Sequence, residues 1–195
     1  MRNHAQSVLA SDFLVVVTAT FRLLHVFVVL KVGTRRIVHW NVTVHPTADW
    51  TAQQFRMIVR GDQAYRFVIH DRDTIDSDGV DRTLGAMGLT VLKTPVRAPQ
   101  ANAFCERVIG TIRRECLDFM IPISERHVRV ILREWVRHYN RGRPHASLGS
   151  GIPDRPVRES IGGSPDQRLP QGYRVAAAQI LGGLHHEYRL EKQAA

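Results

Sequence analysis

Three carboxylates, Asp12, Asp71 and Glu106, stand where an acid needs a reason. Asp12 interrupts the apolar run VLASDFLVVV, and a lone buried aspartate costs several kcal/mol, of order 2–7, unless it is paired or coordinated. Asp71 directly follows the apolar segment YRFVIH. Glu106 lies at the edge of a helical stripe formed by Cys105, Val108, Ile109, Ile112 and Cys116 in ANAFCERVIGTIRREC. Gly110, one turn further on, costs a helix roughly 1 kcal/mol relative to alanine. Taken singly, each acid has an ordinary structural reading; an acid near a helix N-terminus, for instance, is favoured by the macrodipole. Taken together they form an oxygen-only donor set suited to Mg²⁺ or Mn²⁺. Two such ions, about 3.5–4 Å apart, can clamp the attacking and leaving oxygens of an in-line displacement at phosphorus. The chemistry that needs this trio is phosphodiester cleavage and transfer.

Composition points the same way. The 195 residues suit one domain with a tail, and the 44% hydrophobic content is that of a globular chain. Lys and Arg (27) outnumber Asp and Glu (18), giving a formal charge of +9, which favours a polyanionic partner, nucleic acid first. Cys105 and Cys116 would lie roughly 16 Å apart along one helix, whereas a disulfide needs Cα atoms within about 7 Å. They are expected to be buried thiols in a reducing compartment. Zinc-type cysteine and histidine spacings are absent. No secretory pattern follows Met1, and Arg22 and His25 break the apolar stretch from Phe13 to Leu30 into two strands, so no membrane partner is expected.

The elements that must position the acids follow from periodicity. Strands are predicted over Val8–Val17, Arg22–Leu30 and Arg36–Val44, an antiparallel meander. A helix with Trp50, Phe55, Ile58 and Val59 on its core face enters through His45-Pro46-Thr47 and ends at Gly61. Tyr65–His70 reads as a short strand, Val80–Met87 as a helix and Leu89–Leu92 as a fifth strand. The Glu106 helix follows. Ser124–Asn140 is a further helix with Val128, Ile131, Leu132, Trp135 and Tyr139 on its buried stripe. Residues 152 to 171 read as linker, and Tyr173–Leu181 with GGLHHEYRL as a terminal hairpin. Trp40, Trp50 and Trp135 are expected in the core, and His185 and His186 at the surface. The order describes a ribonuclease-H-like α/β fold: a mixed five-stranded sheet flanked by helices, over residues 1–150, with a tail over 151–195.

Over residues 8 to 150 the chain resembles the DDE transposases of bacterial insertion sequences and the retroviral-type integrase catalytic core. The specific parts are Asp71 and Glu106 at that family's 35-residue spacing, the run PQANAFCERVIGTIRRECLD, and HYNRGRPHASLG, similar to the family's Tyr-Asn-x-x-Arg-Pro-His-x-x-Leu signature. The segments DFLVVVTATFRLLHVFVVL and GTRRIVHWNVTVHPTADWTAQQ also look like this group's opening strands and first helix. The resemblance implies a catalytic and metal-binding triad of Asp12, Asp71 and Glu106 and two Mg²⁺ or Mn²⁺ ions. It further implies hydrolysis at an element end, then attack of the freed 3′-hydroxyl on target DNA. A homo-oligomer acting on element ends and target DNA in the bacterial cytoplasm, associated with the nucleoid, is the matching expectation.

Several residues are candidates for DNA contact: Gln100 and Asn102 ahead of the Glu106 helix, Arg113 and Arg114 on it, and Arg137, Asn140, Arg141, Arg143 and His145 around the HYN–RPH loop. Capping is the plainer reading of Asn102, and a solvated helix face that of the arginines. The loop DRDTIDSDG after Asp71 is unusually acidic for the family. It is no calcium loop, since Asp76 stands where glycine is needed and Arg82 where glutamate is. The eleven residues before Asp12 are too few for the helix-turn-helix that reads element ends. A truncated catalytic core is therefore expected, with an inactive DNA-binding remnant as the alternative.

Overall fold

A computed structural model describes residues 2–59, 65–70, 77–92, 102–148, 151–154 and 169–193. Three strands open the chain: β1 (Val8–Val17), β2 (Leu23–Lys31) and β3 (Arg36–Thr43). They form the predicted antiparallel meander, with β1 and β2 in register from Leu9↔Lys31 to Val17↔Leu23. The β2–β3 ladder slips at Val29/Leu30, a bulge that bends the outer strand. Two short strands, β4 (Phe67–Ile69) and β5 (Thr90–Val91), then add in parallel on the other side of β1. The sheet order is β3-β2-β1-β4-β5.

Helices cover both faces. α1 (Ala48–Ile58) starts at Thr47, whose hydroxyl accepts from the Trp50 amide at 3.1 Å. α2 (Ser77–Ala86) begins three residues earlier than the sequence predicts. Gly79 reads as a loop residue, yet it is carried inside the helix, with Asp78 in the first turn where the dipole favours an acid. Phe55 of α1 and Val80 and Leu84 of α2 pack on Leu9, Phe27, Val29 and Val68 of the sheet. Side chains alternate along a strand, so Ala10, Asp12 and Leu14 point to the opposite face. That face is covered by α3 (Ala103–Glu115), which contacts β1 and β2. α4 (Glu125–Arg141) buries Val128, Ile131, Leu132, Trp135 and Tyr139, the stripe read from the sequence. Arg129 of α4 pairs with Glu125 and reaches the Asn41 side chain at 2.6 Å and the Val42 carbonyl.

The chain divides into two compact units, residues 1–132 and 133–195. In the second, β6 (Tyr173–Ile180) and β7 (His185–Lys192) make the predicted hairpin. Its turn passes through positive φ at Leu181, Gly182 and Gly183. Trp135 is fully buried, while Trp40 and Trp50 are half-buried. No described helix is long and apolar enough to cross a membrane.

Candidate active site

The site begins where the parallel ladder ends. β4 pairs with β1 only from Val8↔Phe67 to Ala10↔Ile69, so β1 runs on past its neighbour at Ser11 and Asp12. Asp12 is half-buried, and its Oδ1 accepts from the Phe13 amide at 2.7 Å. An acid is tolerated inside this strand because it sits where the sheet opens.

α3 enters this opening by its N-terminus. Asn102 occupies the N-cap position but makes no capping bond, forgoing about 1 kcal/mol of helix stability. Its Nδ2 donates instead to the Ser11 carbonyl of β1 at 3.2 Å. Glu106, in the first turn, donates its amide to the Asn102 carbonyl at 3.1 Å and keeps an exposed side chain. Cys105, next to Glu106 in α3, is fully buried, its Sγ 4.0 Å from the Val28 carbonyl. Burial pushes this thiol well above its ordinary pKa, and the negative charges of Asp12 and Glu106 push it further. Both carboxylates are therefore within electrostatic reach of one sulfur. Cys116 is likewise a buried thiol, as expected.

Further along the same helix, a Cβ on Gly110 would lie 2.9 Å from a terminal nitrogen of Arg114. The missing side chain lets the guanidinium fold back along the helix toward the turn that carries Glu106. Phe104 packs under the Arg35 guanidinium, 3.9 Å from its ring centroid, which ties α3 to the β2–β3 turn.

Asp71 and Gln100 lie outside the described residues. The residue before Asp71 does not. His70 is buried at the end of β4, and its Nε2 is 2.7 Å from Asp81 Oδ1 of α2. A water-sized cavity of about 10 Å³ lies between Ser11, Asp12, Phe13 and His70. The His70–Asp81 pair escapes sequence reading because ten residues separate partners that share no motif.

The candidate DNA contacts fall into two groups. Arg113, Arg114, Arg137 and Arg141 are exposed. Asn102, Asn140 and His145 are buried, with 6%, 7% and 8% exposure. The Asn140 carbonyl accepts from the Asp154 amide, and His145 Nε2 lies 3.3 Å from the Tyr139 carbonyl. Arg141 pairs with Asp154 at 3.4 Å, and Arg143 lies 6.0 Å from the Tyr139 ring centroid. Much of the HYN–RPH signature thus folds the end of α4 into a compact cap, leaving its arginines at the rim.

Among the described residues no three His, Cys, Asp or Glu side chains group around one point. Asp12 and Glu106, whose charges both act on Cys105, are hard oxygen donors of the kind that suits Mg²⁺ or Mn²⁺. Asn102 Oδ1, buried with no hydrogen-bond partner, adds an oxygen acceptor at the same seam.

Comparison with known proteins agrees with this fold. Residues 87–153 match the family model of the integrase core domain. The chain is 26% identical over 146 residues to the putative transposase InsD of insertion element IS2E from Escherichia coli, covering 69% of this chain and 66% of that one. It is 42% identical over 52 residues to an uncharacterized 39.2 kDa protein of insertion element IS476 from Xanthomonas euvesicatoria, covering 27% of this chain and 15% of that one. The chain thus spans less than two thirds of the length of these relatives. In fold it is similar to the catalytic domain of Mos1 mariner transposase (TM-score 0.57, 15% identity, 68% of this chain and 70% of that one), a domain also solved with Mn. By sequence the chain is similar to insertion-element transposases, and its sheet and helices form the ribonuclease-H-like fold of integrase and transposase catalytic cores.

Proposed function

We propose that this chain is a DDE-type DNA transposase core that cleaves and transfers DNA strands using divalent metal, with Asp12, Asp71 and Glu106 as its catalytic carboxylates. The observation that supports the reading is the buried hydrogen bond from Asn102 to Ser11, which brings the N-terminus of the Glu106 helix against the strand that carries Asp12. Asp71, one residue beyond the buried His70, supplies the third carboxylate.

Under this reading Asp12 and Glu106 hold Mg²⁺ or Mn²⁺, two ions in the full site. Bound there, the cations supply Lewis acidity for an in-line displacement at phosphorus. The residues of the chain do the positioning. The exposed guanidiniums of Arg113 and Arg114 lie on the Glu106 helix, where they can hold the phosphate backbone of a bound strand. Arg137, Arg141 and Arg143 give the second unit basic side chains of its own. Water or a 3′-hydroxyl attacks, and the leaving 3′-oxygen carries away the electrons of the broken P–O bond. No covalent bond to protein forms. The partners are element-end and target DNA and further copies of the chain, and the place of work is the bacterial nucleoid.

Incubating purified chain with supercoiled plasmid and Mn²⁺ tests this. Nicked product from the parent, lost in Glu106→Gln, supports the reading. Nicking that survives Glu106→Gln removes the triad assignment. Salt-sensitive binding with no cleavage under any divalent metal identifies a DNA-binding remnant instead.

A further inference from the structure

We infer that Asn102 is a positioning residue that sets the separation of Asp12 and Glu106, and is not a DNA contact; this rests on the metal-site reading above. The last β1–β4 pair among the described residues is Ala10↔Ile69, and Ser11, the next residue of β1, is buried. A buried backbone carbonyl needs a donor. Asn102 Nδ2 donates to the Ser11 carbonyl at 3.2 Å, a side-chain bond to the main chain of β1 beside Asp12.

The consequences converge on the two acids. Ser11 is bonded directly to Asp12. On the other side, the Asn102 carbonyl accepts the Glu106 amide, the hydrogen bond that opens the helix. One residue thus links the backbone beside Asp12 to the helical turn that presents Glu106. Asn102 is only 6% exposed, which withdraws it from any strand passing over the surface. Its role is also narrower than filling space. Its Oδ1 is buried with no hydrogen-bond partner among the described residues, an expense that an apolar residue of the same size avoids. What the amide contributes is its donor. The helix forgoes a side-chain cap to place that donor on Ser11.

The test compares Mn²⁺ binding, followed by the electron paramagnetic resonance signal of free Mn²⁺, in the parent, Asp12→Asn, Asn102→Leu and Asn102→Ser chains. Metal-free thermal unfolding and metal-free binding to a nonspecific duplex are measured in parallel. Asn102→Leu keeps the volume and loses the donor; it is expected to bind Mn²⁺ about 10–100-fold more weakly, as when a residue supporting a metal ligand is removed. Asn102→Ser keeps a hydroxyl donor and recovers part of the loss; it also keeps the test open should the leucine variant fail to fold. Metal-free duplex affinity stays at the parent level in both. Parent-like Mn²⁺ affinity in Asn102→Leu, alongside a loss in Asp12→Asn, overturns this inference and leaves the metal site standing. A drop in metal-free duplex affinity instead overturns it in favour of DNA contact. Parent Mn²⁺ binding that is indifferent to Asp12→Asn overturns the metal-site reading and the positioning role with it.

Discussion

Asn102 of α3 and Ser11 of β1, 91 residues apart in sequence, share a buried hydrogen bond beside Asp12. It joins the two elements that carry the first and third proposed carboxylates. The contact is made by residues beside the acids, an Asn102 side-chain amide and the Ser11 carbonyl that precedes Asp12.

Gly110 makes a prediction with two opposite signs. Gly110→Ala removes a helix glycine and meets only the movable end of Arg114. Stability should rise by up to about 1 kcal/mol, a Tm increase of roughly 2–4 °C for a chain of this size. The displaced guanidinium should weaken duplex binding to the level of Arg114→Ala. Calorimetry and a duplex titration check both halves; a stabilised variant with parent-like DNA affinity contradicts the role given to Arg114.

Electrostatic engagement of DNA by α3 should be readable from salt. For each of Arg113→Ala and Arg114→Ala, the slope of log affinity against log salt should become shallower by about 0.9 for every phosphate the arginine neutralises. Fluorescence anisotropy across a salt series measures it. Unchanged slopes would return these arginines to a solvated helix face.

The thiols should be silent. Cys105 and Cys116 are both fully buried, and at Cys105 burial and two neighbouring carboxylates disfavour the thiolate. Because that pKa is raised, reactivity stays suppressed at pH values where an exposed thiol has become thiolate. Alkylation at a pH of about 8.5, the ordinary thiol pKa, should label neither cysteine in the native chain and both in denaturant. Rapid native labelling of Cys105 would mean that α3 does not pack as described.

The His70–Asp81 pair should anchor the strand that leads to Asp71. It is mostly buried, with 9% and 17% side-chain exposure. Breaking it by His70→Ala should cost about 1–3 kcal/mol in urea unfolding, the penalty for stranding a buried partner. A double-mutant cycle with Asp81→Ala should show coupling on the order of 1 kcal/mol; additive losses would show that the pair contributes nothing jointly.

Some of this is legible in the sequence. The apolar, β-branched runs VLASDFLVVV and LLHVFVVLK give β1 and β2 almost to the residue, because strands buried on both faces read as near-continuous hydrophobic stretches. The stripe of α4 is equally plain. The start of α2 is not, since Ser77, Asp78 and Gly79 carry loop propensities that packing of Val80 and Leu84 overrides. Motif matching also draws attention to polar residues without saying which way they face. Asn102, Asn140 and His145 look like ligand contacts in a string of letters, yet burial gives them hydrogen-bonding duties inside the fold. The His70–Asp81 pair has no signal, as it depends on β4 and α2 being brought together by the sheet.

The most direct measurement is a crystal of the chain soaked in Mn²⁺, examined at the manganese absorption edge. An anomalous peak within about 2.0–2.4 Å of oxygens from both Asp12 and Glu106 is the predicted result, as expected for hard oxygen ligands. A peak held elsewhere, or Asp12 and Glu106 refusing metal at millimolar Mn²⁺, would contradict the proposed metal-dependent strand-transfer site.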